Sequence, residues 1–351
     1  IAIGTLAGEN AQVDYGVAMG REAGMNFQGA NSVAVGRTAA RNSQGADAVA
    51  IGYRAGHTAQ KNLAIAIGEG AGEFSQNTAC TALGHDSGCN AQGGAATALG
   101  NAAGRVNQGG NATAVGRQAG NSSQGINGTA VGYLSGSNAQ GYSSVAVGVA
   151  AAQASQGEEC VAVGRYAAKN SQGDYGVAVG PYAGQTSQAT LAVAVGYAAG
   201  CADQATNSVA IGTSAGRVSQ AASSVAIGYH AGSNAQGIAS VAIGYTAGSA
   251  DQAASAVAIG DLAGRTAQGD KATAVGDNAG LNAQGTKSVA VGHYAGQASQ
   301  GENSVAVGDV AGSNAQGNAS VAIGNAAARL TQGTLAVAVG AEAGCNVQGD
   351  Y

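Results

Sequence analysis

The sequence predicts an all-β fold, a parallel β-solenoid or β-roll in which each coil of the backbone is one sequence repeat. Three observations support this prediction: a period of 16 residues over 22 copies, a short strand-like motif in every copy, and glycines at fixed places between the motifs. A chain that turns at fixed intervals is typical of stacked coils. We therefore expect a single uninterrupted repeat domain over residues 1–351, with 22 coils of 16 residues.

The period is clearest from the residues that do not change. The glycine of the AIG or AVG motif recurs every sixteen residues from Gly4 to Gly340, without insertion or deletion. The alanine two residues before it is present in all 22 copies, and so is a glutamine that recurs from Gln12 to Gln348. An insertion within a coil would shift its strands out of register, so a solenoid requires this uniform spacing.

The motif, for example Ser240-Val241-Ala242-Ile243-Gly244, alternates small and branched side chains and predicts a short strand. The residue before the alanine is Val, Ile or Thr in all 22 copies. These β-branched residues are stiff in helices and favoured on pleated sheets. The recurring glycines would each cost a helix roughly 1 kcal/mol, which excludes a helical repeat.

We expect the invariant glutamines to form a structural ladder. An amide repeated at every level of the stack can donate to one neighbouring coil and accept from the other. The alternative is that each amide bonds the backbone of its own glycine-rich corner. Both roles are structural, and a ligand-binding role is disfavoured because buried polar groups are normally satisfied internally. The predicted ladder includes Gln12, Gln28, Gln44, Gln60, Gln236, Gln252 and Gln348.

The alternation also predicts which side of the strand faces inward. The core of so short a coil is small, so we favour the alanine face inside and the branched face outside. The opposite orientation would allow a lone rod. At a coil spacing of about 4.8 Å the stack would be roughly 105 Å long, with an apolar stripe of some 700 Å² that needs a partner. The expected oligomer stripe includes Val225, Ile227, Val241, Ile243, Val257, Ile259, Val321 and Ile323.

The SVAIG motif occurs, among other places, at residues 224–228, 240–244 and 320–324. In these residues the chain resembles the head domain of trimeric autotransporter adhesins, and similar repeats are found in viral and phage tail fibres. The resemblance implies a left-handed β-roll, a homo-oligomer with three chains around an axis lined by the branched residues, and a place on a cell or virion surface. The Gln–Gly corner lies outside this resemblance.

The composition excludes several classes of function. Only 9 % of the residues are charged, and the net charge of −5 includes no long run of either sign, so no nucleic-acid partner is expected. No stretch of 18 apolar residues occurs, which argues against a membrane-spanning helix. The histidines occupy variable places without metal-ligand spacing, and no nucleophile with a base can be nominated. We expect no enzyme activity, no metal and no cofactor. The four histidines are His57, His85, His230 and His293.

Variable positions carry the remaining candidates. Tyrosines gather after the motif glycine, and Tyr is common both at recognition surfaces and at strand edges. Cys80 and Cys160 replace the small residue that opens the motif and are expected to be tightly packed. Cys89, Cys201 and Cys345 share one place in distant coils, so they are either free or linked between neighbouring chains. The candidate recognition residues are Tyr197, Tyr229, Tyr245 and Tyr294.

Three functions follow from these patterns. The first is a structural extracellular or virion-surface fibre, or an adhesin shaft, of which this chain is a piece. The second is a head module of an adhesin or tail fibre that binds a host receptor or glycan. The third is an ice-binding solenoid, which is disfavoured because Thr enters the strand in only five copies.

Overall fold

The computed structural model describes residues 1–350 and confirms the parallel β-solenoid of 22 turns predicted from the sequence. Within those residues no helix is formed, and each turn contains two short strands joined by two corners. The chain divides into two compact units, one of residues 1–175 and one that begins at Gly176. In each unit the first strand of every turn belongs to sheet A and the second to sheet B.

The strands of the first unit have the following bounds. Those of sheet A are Ala2–Ile3, Val17–Met19, Val33–Val35, Val49–Ile51, Ile65–Ile67, Thr81–Leu83, Thr97–Leu99, Thr113–Val115, Thr129–Val131, Val145–Val147 and Val161–Val163. Those of sheet B are Asn10–Gln12, Asn26–Gln28, Asn42–Gln44, Thr58–Gln60, Phe74–Gln76, Asn90–Gln92, Val106–Gln108, Ser122–Gln124, Asn138–Gln140, Ala154–Gln156 and Asn170–Gln172.

The second unit repeats this arrangement. Its sheet A contains Val177–Val179, Val193–Val195, Val209–Ile211, Val225–Ile227, Val241–Ile243, Val257–Ile259, Thr273–Val275, Val289–Val291, Val305–Val307, Val321–Ile323 and Val337–Val339. Its sheet B contains Thr186–Gln188, Ala202–Gln204, Val218–Gln220, Asn234–Gln236, Ala250–Gln252, Thr266–Gln268, Asn282–Gln284, Ala298–Gln300, Ala315–Gln316, Thr331–Gln332 and Val347–Gln348.

Within each unit, every strand pairs in parallel with its equivalent one repeat later, like residue beside like residue. In sheet A, Ala242 is the register partner of Ala258. In sheet B, Gln236 is the register partner of Gln252. Sixteen residues therefore make one circuit of the backbone, as the period predicts. We number repeat positions from 1 to 16, starting at the small residue that opens the motif, which is Ser240 in the coil 240–255.

The interior is built from small residues and glutamine. The alanine of the motif, at position 3, and a second alanine at position 8 are fully buried, for example Ala258 and Ala263. Among the largest fully buried side chains, all except Cys80 are glutamines of position 13. A narrow coil leaves no room between its walls for a bulky aliphatic residue, so methyl groups and amides fill the core.

Residues other than glycine adopt left-handed backbone at the corners and in the middle of the sheet B strand. In the coil 240–255, Thr246, Asp251 and Ser255 have φ values of 48°, 53° and 57°. Such a conformation costs an L-residue about 1–2 kcal/mol. Main-chain hydrogen bonds along the stack hold it in place: Thr246 N donates to Tyr229 O at 2.8 Å, and Ser255 N donates to Ile238 O at 2.8 Å. The stack thus imposes a backbone that the local sequence does not favour.

Candidate functional site

The invariant glutamine connects the two sheets across the interior. Nε2 of Gln252 lies 2.8 Å from the main-chain oxygen of Val241, eleven residues earlier in the same coil. It also donates, at 3.3 Å, to the oxygen of Ala256, which opens the next motif at the end of the glutamine corner. The bond to the opposite sheet was not anticipated from the sequence. It explains why the length and the N–H donors of glutamine are needed in every coil.

The amides also bond along the stack, in short runs. Of the predicted ladder residues, Gln12 donates to Gln28 at 2.9 Å and Gln44 donates to Gln60 at 3.1 Å. Gln236 and Gln252 are neighbours in register, but within the described residues Oε1 of Gln252 accepts no hydrogen bond. Gln348 accepts from Gln332 at 3.3 Å. The longest run joins Gln44, Gln60, Gln76, Gln92, Gln108 and Gln124.

The branched residues of positions 2 and 4 lie on the outer face of sheet A, the orientation favoured from the sequence. The side chains of Ile211, Ile259 and Ile323 are 38–39 % exposed, and most of their equivalents are partly buried by neighbours in the same column. All eight residues of the expected oligomer stripe lie on this face of the second unit: Val225, Ile227, Val241, Ile243, Val257, Ile259, Val321 and Ile323. We call the outer face formed by positions 2 and 4 the branched face.

The candidate recognition tyrosines do not form one continuous patch. Tyr229 and Tyr245 stack with their ring centroids 5.1 Å apart and their planes 9° apart. Tyr197 contacts Tyr182 edge to face at 5.8 Å, whereas Tyr294 pairs with His293 at 4.1 Å. Of the four predicted residues, the structure therefore brings only Tyr229 and Tyr245 into contact with each other.

The structure also shows charge pairs that the sequence analysis did not find. Glu22, at position 7, pairs with Arg41 at position 10 of the next coil, with Nε and Oε2 3.0 Å apart. Asp86 and Arg105 have the same relationship at 3.8 Å, and Arg54 and Glu73 have it with the charges exchanged. The two residues of each pair are 19 apart in the sequence. A search for opposite charges at that spacing would have revealed them.

The cysteines differ in environment. Cys80 and Cys160 are fully buried, as expected from their place in the motif. Cys89, Cys201 and Cys345 are half-buried free thiols. Burial raises the pKa of the Cys201 thiol, and burial together with the nearby carboxylates of Glu73 and Asp86 raises the pKa of Cys89 to about 11.

Two further features bear on chemistry. Burial lowers the pKa of His57, and the charges of Arg54 and Arg41 lower it further. Among residues 1–350 no group of three or more His, Cys, Asp or Glu side chains is placed to hold a metal ion. In the same part of the chain, no helix has the length and apolar character that crossing a membrane requires.

The fold and its core define a class of protein: a tandem-repeat β-solenoid with alanine and glutamine inside and branched residues outside. This repetitive architecture is compatible with a structural, fibre-like protein. A scan against protein-family models finds no family that matches the chain, and a search of curated proteins finds no matching relative.

Proposed function

We propose that this protein is a structural element of an extracellular or virion-surface fibre, in which copies of the chain pack against one another through the branched face. The observation that carries this proposal is the absence of charge on an outward-facing surface. All 44 residues at positions 2 and 4, two in each of the 22 repeats, are Val, Ile, Leu, Met or Thr. A solvated sheet face normally carries polar residues, so this face is suited to contact with another chain.

The exposed apolar area of the branched face is of a size suited to an interface between chains. Over the eleven strands of sheet A in one unit the branched face covers about 350 Å², near the largest apolar patch of an ordinary monomer. Its side chains are partly covered by neighbours in their own column, and association with a second chain would bury the remaining apolar area. Three chains around a common axis is the arrangement that the adhesin resemblance implies.

Sedimentation equilibrium of the purified chain at micromolar concentration tests this proposal. We expect the chain to form an oligomer, and we expect the double variant I227K/I259K to be monomeric while keeping its β-sheet circular dichroism. The matched control, A235K/A267K, places the same two charges on the exposed outer face of sheet B and should remain oligomeric. A wild-type chain that stays monomeric, or a control that dissociates equally, would contradict the proposal.

A second function, recognition of a receptor or glycan, is supported by the exposed tyrosines. The stacked pair Tyr229 and Tyr245 is about half exposed, at 47 % and 55 %. An adhesin or tail-fibre head would present such residues to a host surface. A glycan array probed with the chain tests this role, and the absence of any signal above that of a Y229S/Y245S variant would count against it.

A further inference from the structure

The second unit has a cleft of about 370 Å³ at the corner that follows sheet A. Its ends are Tyr182 and His230, which both occupy position 7 and lie three repeats apart. In the two coils between them, position 7 is Ala198 and Ser214, which are small and form the floor. At one coil per 4.8 Å, the two end residues are about 14 Å apart, which leaves room for a ring of sugar size.

The lining of the cleft combines aromatic and polar side chains. Tyr197 is 54 % exposed and contacts Tyr182 edge to face. Gln185, Cys201 and Arg217, which all occupy position 10, also line the cleft, and the Cys201 thiol donates to Gln185 Oε1 at 3.5 Å. Within the described part of the chain, no Asp or Glu lines the cleft, so Arg217 gives it a positive charge.

Arg217 occupies a place where other coils form an ion pair. Arg41 and Arg105 share its repeat position, and each pairs with the carboxylate 19 residues earlier, that of Glu22 or Asp86. For Arg217 the residue 19 earlier is Ala198, the floor of the cleft. Among residues 1–350, Arg217 takes part in no ion pair. Two of the five arginines at position 10 are paired in this way, whereas Arg217 presents an exposed guanidinium beside Ala198.

We propose that this cleft binds an acidic monosaccharide unit, a sugar ring that carries a carboxylate. The carboxylate lies over Ala198 against Arg217, in the place that Glu22 and Asp86 occupy beside their own arginines. A planar guanidinium suits a carboxylate because it can donate two parallel hydrogen bonds. The ring packs on Tyr197, and Gln185 and Ser214 are placed to bond its hydroxyls. The site is formed by one chain and does not depend on the proposed fibre.

Ligand-observed NMR with glucuronate and glucose tests the proposal, because the two sugars share a ring and differ in the carboxylate. The cleft is open and the ligand small, so we expect a Kd for glucuronate on the order of 1 mM. Glucose should bind about tenfold more weakly, since it lacks the charged partner of Arg217. The full chain is used, and the resonances observed are those of the sugar.

Two variants with matched controls locate the binding. R217Q should weaken glucuronate binding about tenfold. A198E should abolish it, because the new carboxylate restores the ion pair and fills the floor; Glu22 shows that Glu is accepted at position 7 with positive φ. The controls R265Q and T246E change the same two repeat positions, again 19 residues apart, outside the cleft. Both controls should leave binding unchanged.

Several results would overturn the proposal. The first is the absence of any NMR signal of bound glucuronate at about 10 mM. The others are equal binding of glucose and glucuronate, or full glucuronate binding by A198E. Circular dichroism of each variant verifies that its fold is retained. If A198E were unfolded, R217Q against R265Q would still decide, because a loss common to both would show that the cleft is not the site.

Discussion

Gln268 Nε2 lies 2.7 Å from the main-chain oxygen of Val257, so that one side chain spans the interior from sheet B to sheet A. The same amide donates to Ala272 O at 3.3 Å and to Gln284 Oε1 at 3.0 Å. Its own oxygen accepts from Gln252 at 3.0 Å. A carboxylate would lose the N–H donors and a shorter amide would not reach, which accounts for glutamine in all 22 repeats.

The first prediction removes this connection. Q268L keeps the approximate volume of the side chain but loses every hydrogen bond, and it removes one of the three acceptors of the Gln252 amide. We expect the free energy of unfolding to fall by about 2–3 kcal/mol. Urea unfolding followed by circular dichroism measures the change. The control is Q297L, because Gln297 lies at a corner and within the described residues makes no side-chain hydrogen bond. An equal loss in both variants would show that the cross-core bonds are unimportant.

The second prediction concerns the motif glycine. Gly100 has a φ of +126°, and a Cβ added there would lie 2.8 Å from the oxygen of Gly116 in the next coil. Neither the backbone conformation nor the neighbouring carbonyl can adjust cheaply within the stack. We expect G100A to lower the free energy of unfolding by about 3 kcal/mol or more.

The matched control for this glycine is G94A, six residues earlier in the chain. Gly94 has no positive φ, and the nearest atom to an added Cβ is Thr78 O at 3.8 Å. We expect its stability to change by less than about 0.5 kcal/mol. Comparable destabilisation of both variants would mean that the motif glycine is not required by this contact.

The sequence predicts the larger part of this fold because the repetition of one pattern resolves the secondary structure that a single copy leaves ambiguous. One copy of Ser-Val-Ala-Ile-Gly could be a strand or part of a helix, but 22 copies in phase fix the period, the strand and the register. The inward alanines follow from the same reasoning, since only a small residue is found there. The second alanine column, at position 8, carries an equally plain signal, with Ala in 20 copies and Ser87 and Ser135 in the others.

Relationships between different repeat positions were harder to predict. The bond from Gln252 to Val241 depends on how far apart the two sheets lie, and the pairing of Glu22 with Arg41 depends on how the corner turns. Periodicity specifies which residues lie above one another, but not which residues face each other across or around a coil. For this reason the cleft between Tyr182 and His230 cannot be predicted from the sequence unless positions 7 and 10 are known to be adjacent.

The third prediction uses the left-handed corners. Val310 has a φ of 49°, which is an outlier for a β-branched residue, while Gly70 occupies the same repeat position with a φ of 65°. V310G should therefore raise the free energy of unfolding by about 0.5–1 kcal/mol, after allowance for the greater flexibility of glycine in the unfolded chain. V310A is the control, because it removes the methyl groups but keeps the Cβ. Equal stability of the two variants would argue against backbone strain at this corner.

The fourth prediction concerns the thiol of Cys89. Burial raises its pKa to about 11 from an ordinary value of 9.0, and the carboxylates of Glu73 and Asp86 add to the effect. Because the thiolate is the reactive form, alkylation by iodoacetamide at pH 8 should be about a hundredfold slower than in the urea-unfolded chain. The rate should keep rising with pH until about pH 11. Peptide mass spectrometry separates Cys89 from the other cysteines.

The same shift links pH to stability. A thiol whose pKa is higher in the folded chain contributes stability below pH 9.0, and this contribution is lost as pH rises towards about 11. E73Q removes a negative charge near Cys89, so we expect it to lower the pKa of the thiol, speed alkylation at pH 9 and reduce the loss of stability above that pH. E69Q is the control, since Glu69 does not act on the pKa of Cys89. An alkylation profile unchanged by E73Q would show that Glu73 does not contribute to the shift of the Cys89 pKa.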